Sequence, residues 1–185
     1  DFVPTFLRNA TAFGASPRQR FDLVLNNLMG LAWTTKEIKM IYDGSPWRPL
    51  VHGLDIAKAI SCVLDAPEDD VKGQIFNVGS NEQNYQVKEI AEIVAEQVPG
   101  CELSFGDGAD NRSYKVNFDK IHAALPTFSC EWDARRGAQQ LAEIFARIGL
   151  DAEMFNHRGF TRLKQLEYLL GTGQLDADFF WKTRG

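Results

Sequence analysis

Gln74-Ile75-Phe76-Asn77-Val78-Gly79 is a short apolar run that ends in glycine, the form of a strand buried in a parallel sheet. The segments around it alternate in type. Upstream, Pro4 to Thr11 reads as a short strand leading into a polar loop punctuated by Gly14-Ala15-Ser16-Pro17. Phe21, Leu25, Leu28, Leu31 and Ala32 then recur at helical spacing across residues 21–35. Ile38, Met40 and Tyr42 share one side of a strand over 37–42, and Asp43-Gly44-Ser45-Pro46 turns the chain. Trp47 to His52 is a second extended piece, followed by a helix over 56–64 with Asp55 as its expected N-cap. Downstream, residues 85–98 form an amphipathic helix stopped by Pro99-Gly100. Strands are expected over 102–105 and 113–118, and helices over 119–125, 134–148, 161–170 and 176–181, with Asp133 capping the second of these. The mixed, alternating order makes the class α/β.

Composition narrows the function. The chain has 185 residues and a formal net charge of -5, with 44% hydrophobic and 24% charged residues. These values suit an ordinary globular protein. No apolar run approaches the roughly 18 residues a membrane helix needs. No basic cluster suggests a nucleic-acid surface. Cys62, Cys101 and Cys130 are odd in number and far apart, so neither a disulfide framework nor a CxxC metal site is implied, and a cytoplasmic setting fits. His52, His122 and His157 lack metal-type spacing, and His52 alternates with Leu50 as a packed strand histidine would.

Two arginines are candidates for anion binding. Arg48 stands on the extended piece before an apolar pair, where its planar fork suits a bidentate grip on phosphate; from spacing alone, a surface arginine stacked on Trp47 is the commoner reading. Arg112 follows a glycine-rich loop and is either a second anion ligand or a solvated loop residue. Asn26 and Asn27 point about 100° apart on one helix, so at most one faces any given site; a ligand or a neighbouring loop would satisfy it.

Five stretches together carry a family resemblance. Leu7-Arg8-Asn9-Ala10-Thr11-Ala12-Phe13-Gly14 resembles the L-R-x-x-N/T-x-Y/F-G loop of extended short-chain dehydrogenases/reductases, the superfamily of NAD-dependent nucleotide-sugar epimerases and dehydratases. Asn26-Asn27-Leu28-Met29 is similar to its N-N-L-M stretch, and Trp47 to Asp55 to its R-D-Y-x-H-V-x-D segment, with Pro49 and Leu50 replacing the acidic and aromatic residues. Ile75-Phe76-Asn77-Val78-Gly79 resembles the following Y-N-I/V-G strand, and Arg112-Ser113-Tyr114 to Lys120 the R-R-Y-x-x-D-x-x-K segment without its preceding R-P-G.

The resemblance implies a Rossmann-like α/β fold. Residues 1–35 and 50–80 would be the remnant of the nucleotide-binding domain, with 36–49 and 81–150 the substrate-binding lobe and 151–185 a helical tail. It implies that Arg48 and Arg112 grip a sugar-nucleotide diphosphate, that Asn26 and Asn27 touch the nucleotide, and that Thr11 meets both substrate and nicotinamide. Arg8 and Asn9 would join Thr11 in holding NAD or NADP. In the intact family enzyme, the cofactor takes hydride from a sugar carbon while a Tyr, aided by a Lys four positions on, moves the hydroxyl proton.

That catalytic pair is not found in these residues. Tyr42, Tyr85, Tyr114 and Tyr168 are followed four positions on by Pro46, Glu89, Phe118 and Thr172, and no glycine-rich turn opens a βα unit. The expectation is therefore the C-terminal portion of such an enzyme, inactive by itself and without bound cofactor. Its partners would be a nucleotide-sugar-like small molecule and either the missing N-terminal half or another copy of the chain, with no nucleic acid and no membrane. The alternative is a non-catalytic binding or scaffold protein derived from the same fold. On the fragment reading, an apolar surface is expected around Phe2, Phe6 and the Phe21 helix, covered by a partner or by the tail.

Overall fold

A computed structural model describes residues 4–108, 110 and 112–182. The chain begins with β1 (Phe6–Asn9), β2 (Thr11–Phe13), α1 (Val24–Thr35), β3 (Glu37–Lys39) and β4 (Trp47–His52). Next come α2 (Gly53–Asp65), α3 (Glu68–Val71), β5 (Ile75–Val78), β6 (Asn84–Gln86), α4 (Val87–Gln97) and β7 (Glu102–Ser104). The remaining elements are α5 (Asp119–Ala124), α6 (Ala134–Ile148), α7 (Ala152–Asn156) and α8 (Arg162–Gly171). Among the described residues, no helix is long and apolar enough to cross a membrane.

The first extended segment changes partner at Ala10. β1 lies parallel to β5 with Phe6 opposite Ile75, while β2 lies parallel to β4 with Thr11 opposite Leu50. β4 also pairs antiparallel with β6, and β3 runs parallel to β7. The connections between parallel partners carry helices, as parallel pairing requires. The mixed α/β class is thus observed, with Rossmann-like parallel pairings.

Two cores hold these elements. The larger joins Leu25, Leu28 and Met29 of α1 to Ile90 and Val94 of α4 and to Leu141 and Phe145 of α6. The smaller lies under β5 and α5, around Phe76, Val78, Phe118 and Ile121. The C-terminal segment closes the larger core. Phe21 is buried against Phe155 and Phe160, with ring centroids 4.8 and 5.3 Å away, and its N–H donates to the Phe160 carbonyl. Gly30 permits this closure, since a Cβ there would stand 2.2 Å from Phe155 Cε2. The expected apolar surface is therefore divided. The Phe21 side is covered by the chain's own tail, Phe6 is 51% exposed, and Phe2 lies outside the described residues.

Four local expectations are corrected. Asp55 is not the N-cap of α2; His52 is, with Nδ1 accepting the Leu54 N–H at 3.1 Å. Asp55 instead accepts the N–H groups of Glu131 and Trp132 at 3.0 and 3.2 Å, tying the α5–α6 connection to α2. The helix expected from Tyr85 begins at Val87, because Asn84 to Gln86 pair with β4. Residues 113–118 are extended but form no strand. Asn84 bonds both the N–H and the carbonyl of Val116 at 3.0 Å, and Asn81 accepts the Phe118 N–H at 3.0 Å. Asparagine side chains thus take the place of a neighbouring strand. Residues 176–181 form a turn rather than a helix, because Asp176 Oδ1 accepts the N–H groups of Asp178 and Phe180.

Candidate functional site

A cavity of about 640 Å³ opens between the N-terminal half of α1, the segment from β3 to Tyr42, and Asp110, Arg112 and Tyr114. Its floor is apolar, with Leu28, Leu31, Ile38 and Met40. Its rim is polar: Thr11, Asn27, Tyr42, Arg48, Asp110 and Arg112 all line it. A few polar groups converging over an apolar floor is the usual build of a small-molecule site.

Four of the residues singled out from sequence are brought together here. Thr11 opens β2. Asn27 stands on α1, its Nδ2 donating to the Phe21 carbonyl at 2.8 Å. Arg48 lies on β4 opposite Tyr85 of β6, and that antiparallel pairing fixes its backbone. Arg112 arrives from the loop. The other three are elsewhere. Asn26 is buried and points away from the cavity; its Oδ1 accepts the Gly14 N–H at 3.0 Å and its Nδ2 donates to the Arg20 carbonyl at 3.1 Å. It pins the 14–20 loop to α1. Arg8 and Asn9 are exposed on β1, outside the cavity lining.

The arginines meet at Asp110, a residue not among the candidates read from the sequence. Arg48 Nη2 donates to Asp110 Oδ2 at 3.0 Å. Arg112 Nε and Nη2 donate to the two oxygens of the same carboxylate at 2.9 and 3.1 Å. The Arg112 N–H also donates to Asp110 Oδ1 at 3.0 Å, an Asx turn that sets the Asp-x-Arg spacing. That spacing was the available signal. Arg48 Nη1 donates to the carbonyls of Trp47 and Arg112. The face of Trp47 is taken by Lys115 at 3.4 Å, which leaves Arg48 to the cavity. Hydrogen bonds from Arg112 are the main cause that pulls the Asp110 carboxyl down to about 2, so it is ionised at neutral pH. Burial, and then the Asp110 charge, raise the Tyr42 phenol above its ordinary value, so Tyr42 presents a neutral hydroxyl.

Beneath the rim, His52 organises the strand end. It stacks on Trp132 with centroids 4.1 Å apart, and its Nε2 lies 2.9 Å from Gln140 Oε1. Burial lowers its pKa below the ordinary histidine value. Gly14 faces it at φ +98°, and a Cβ there would stand 2.1 Å from His52 Nε2, so only glycine fits. Among the described residues, no group of three or more His, Cys, Asp or Glu could hold a metal ion.

Residues 1–79 match the model of the NAD dependent epimerase/dehydratase family. The fold is shared with an epimerase, Mth375, from Methanothermobacter thermautotrophicus (TM-score 0.66, 20% identity, 79% of this chain and 44% of that one). It is shared with UDP-glucuronic acid 4-epimerase from Bacillus cereus, solved with UDP-glucuronic acid and NAD (TM-score 0.65, 17% identity, 78% and 45%). UDP-glucose 4-epimerase from Thermotoga maritima, solved with UDP-glucose, is similar too (TM-score 0.62, 18% identity, 78% and 46%). The chain thus spans somewhat under half the length of the solved structures it matches.

Proposed function

Since the chain carries the fold of an extended short-chain dehydrogenase/reductase, and over residues 1–79 the sequence of its epimerase/dehydratase family, we propose that it is the substrate-binding C-terminal portion of a nucleotide-sugar epimerase or dehydratase. The observation that carries this reading is the convergence of Arg48 and Arg112 on one wall of a cavity that Thr11 and Asn27 also line. Guanidinium groups grip phosphates through fixed, forked donors. Here they would take the diphosphate. The apolar floor would receive the uncharged parts of the ligand, and Asn27 and Tyr42 offer hydrogen bonds at the rim. Such grip at a distance from the reacting carbon orients it without taking part in the chemistry.

Of the three assigned to the cofactor, only Thr11 reaches the cavity, while Arg8 and Asn9 stand exposed on β1. With no Tyr-x-x-x-Lys pair in its 185 residues, the chain supplies binding rather than proton transfer. The partner we assign is protein that continues the sheet beyond β1, from the rest of the parent enzyme or a second copy. The β1–β5 pair is parallel, and parallel sheets are normally covered on both faces. The second reading, a stand-alone binding protein without catalysis, is favoured by one observation: the chain's own Phe155 and Phe160 close the larger core.

Calorimetric titration with UDP tests the site. Binding is expected, and Arg48→Ala is expected to weaken it about tenfold or more, through a lost charge-assisted contact. Unchanged affinity in that variant would remove the assignment. Turnover of UDP-glucose with NAD by the chain alone would remove the binding-only role.

A further inference from the structure

The clamp already holds an anion, and that anion belongs to the chain. Arg112 is 83% exposed along its side chain, yet its Nε–Nη2 edge is laid on the Asp110 carboxylate at 2.9 and 3.1 Å. This is the parallel two-point geometry with which arginine holds phosphate. Asp110 is only 8% exposed, and its Oδ2 is shared with Arg48 Nη2. The second nitrogen of Arg48, Nη1, is occupied by the carbonyls of Trp47 and Arg112. The two arginines and the aspartate together carry one positive charge rather than two.

We propose that Asp110 is a specificity-determining internal counter-ion, which a phosphate ligand must displace from the Arg112 fork before it can be held. The inference rests on the diphosphate reading of the cavity. The two arginines divide the work by their burial. Arg48, 14% exposed and tied to two backbone carbonyls, stays in place. Arg112, with most of its side chain in solvent, swings from the carboxylate to the ligand. A lone phosphate must exchange one carboxylate contact for one phosphate contact, with little gain. Two linked phosphates displace Asp110 from Arg112 and engage Arg48 at the same time. The aspartate therefore sets a threshold that a ligand reaching both arginines clears, and it lowers the cavity's affinity for anions relative to neutral ligands.

Calorimetry on the chain at fixed ionic strength tests this with pyrophosphate, inorganic phosphate and uridine, using wild type, Asp110→Asn and Asp110→Ser. Asparagine keeps the Oδ1 acceptor that the Arg112 N–H uses, and serine offers a hydroxyl to the same turn. Removing the negative charge is expected to tighten pyrophosphate roughly tenfold in both variants, the effect of one unit charge a few ångströms away near the surface. Inorganic phosphate, with less charge, gains by no more than pyrophosphate does, and neutral uridine is unaffected. A gain shared by uridine would mark a general loosening of the loop and overturn the proposal. Equal or weaker pyrophosphate binding in both variants, with wild type binding normally, overturns the counter-ion alone and leaves the diphosphate site standing. Absence of pyrophosphate binding in wild type and variants alike overturns the diphosphate reading and this inference with it.

Discussion

The core beneath the cavity and the core beneath the β1–β5 pair meet solvent in different ways. In the first, α1, α4 and α6 pack on one another, and Phe155 and Phe160 seal the remaining side against Phe21. In the second, Phe76 is fully buried, but its neighbours in the register, Phe6 and Ile75, stand opposite each other at 51% and 49% exposure. The helix beside it, α2, buries only Asp55 and Ala59 and leaves Ile60 and Leu64 in solvent. A two-stranded parallel sheet with one apolar face uncovered has the build of part of a sheet. The candidate cavity thus rests on the closed core, whereas the side on which we place further protein is the open one.

Truncation in the closed core should have the largest effect. Phe145→Ala removes a ring that packs on Phe21 and Trp33, at centroid distances of 5.9 and 6.0 Å. It is expected to cost about 3–5 kcal/mol in urea unfolding. A loss under about 1 kcal/mol would show that this core is not closed, since such a value is typical of partly exposed sites. Gly14→Ala comes next, because it adds a Cβ against His52 at a positive φ. The expected cost is about 2–3 kcal/mol, from strain and displaced packing together.

A pH effect follows from His52. Its pKa is lowered by burial, so below the ordinary histidine value near 6.5 the unfolded chain takes up a proton that the folded chain resists. Stability should therefore fall as pH drops from about 7 toward 5, reading the melting temperature. His52→Asn, which keeps an N-capping side chain but does not titrate, should flatten that part of the curve. An unchanged slope would show that His52 is not the group responsible. The smallest effect belongs to the open side. Phe6→Ser should change the stability of the chain by less than about 0.5 kcal/mol while reducing self-association in sedimentation. A loss comparable with that of Phe145→Ala would erase the contrast between the two cores.

Much of this architecture was legible from residue pattern. Periodicity marks α1, α4 and α6, and glycine-terminated or alternating runs mark β1, β4 and β5, because one face of each is buried and the sequence must alternate to match. Residues 113–118 also alternate, yet their backbone partners are mostly the side chains of Asn77, Asn81 and Asn84, which a strand pattern cannot distinguish from a neighbouring strand. Asp55 looked like a cap because aspartate favours that position; tertiary bonds to Glu131 and Trp132 claimed it instead. At the site, Arg48 and Arg112 are visible as chemistry in sequence, but 64 residues separate them. The carboxylate between them becomes evident only when the loop is folded against β4. Asn26 and Asn27 are adjacent and chemically identical, and only the position of the 14–20 loop decides that Asn26 is internal and Asn27 faces the cavity.

On this reading the closed side of the chain binds a nucleotide diphosphate and the open side does not. Backbone amide NMR of the labelled chain during titration with UDP-glucuronic acid tests it most directly. Saturable shift changes are expected, clustered on Thr11, Asn27, Tyr42, Arg48 and Arg112, with Phe6 and Ile75 unmoved. Changes centred on Phe6 and Ile75, or no changes at all at millimolar ligand, would contradict it.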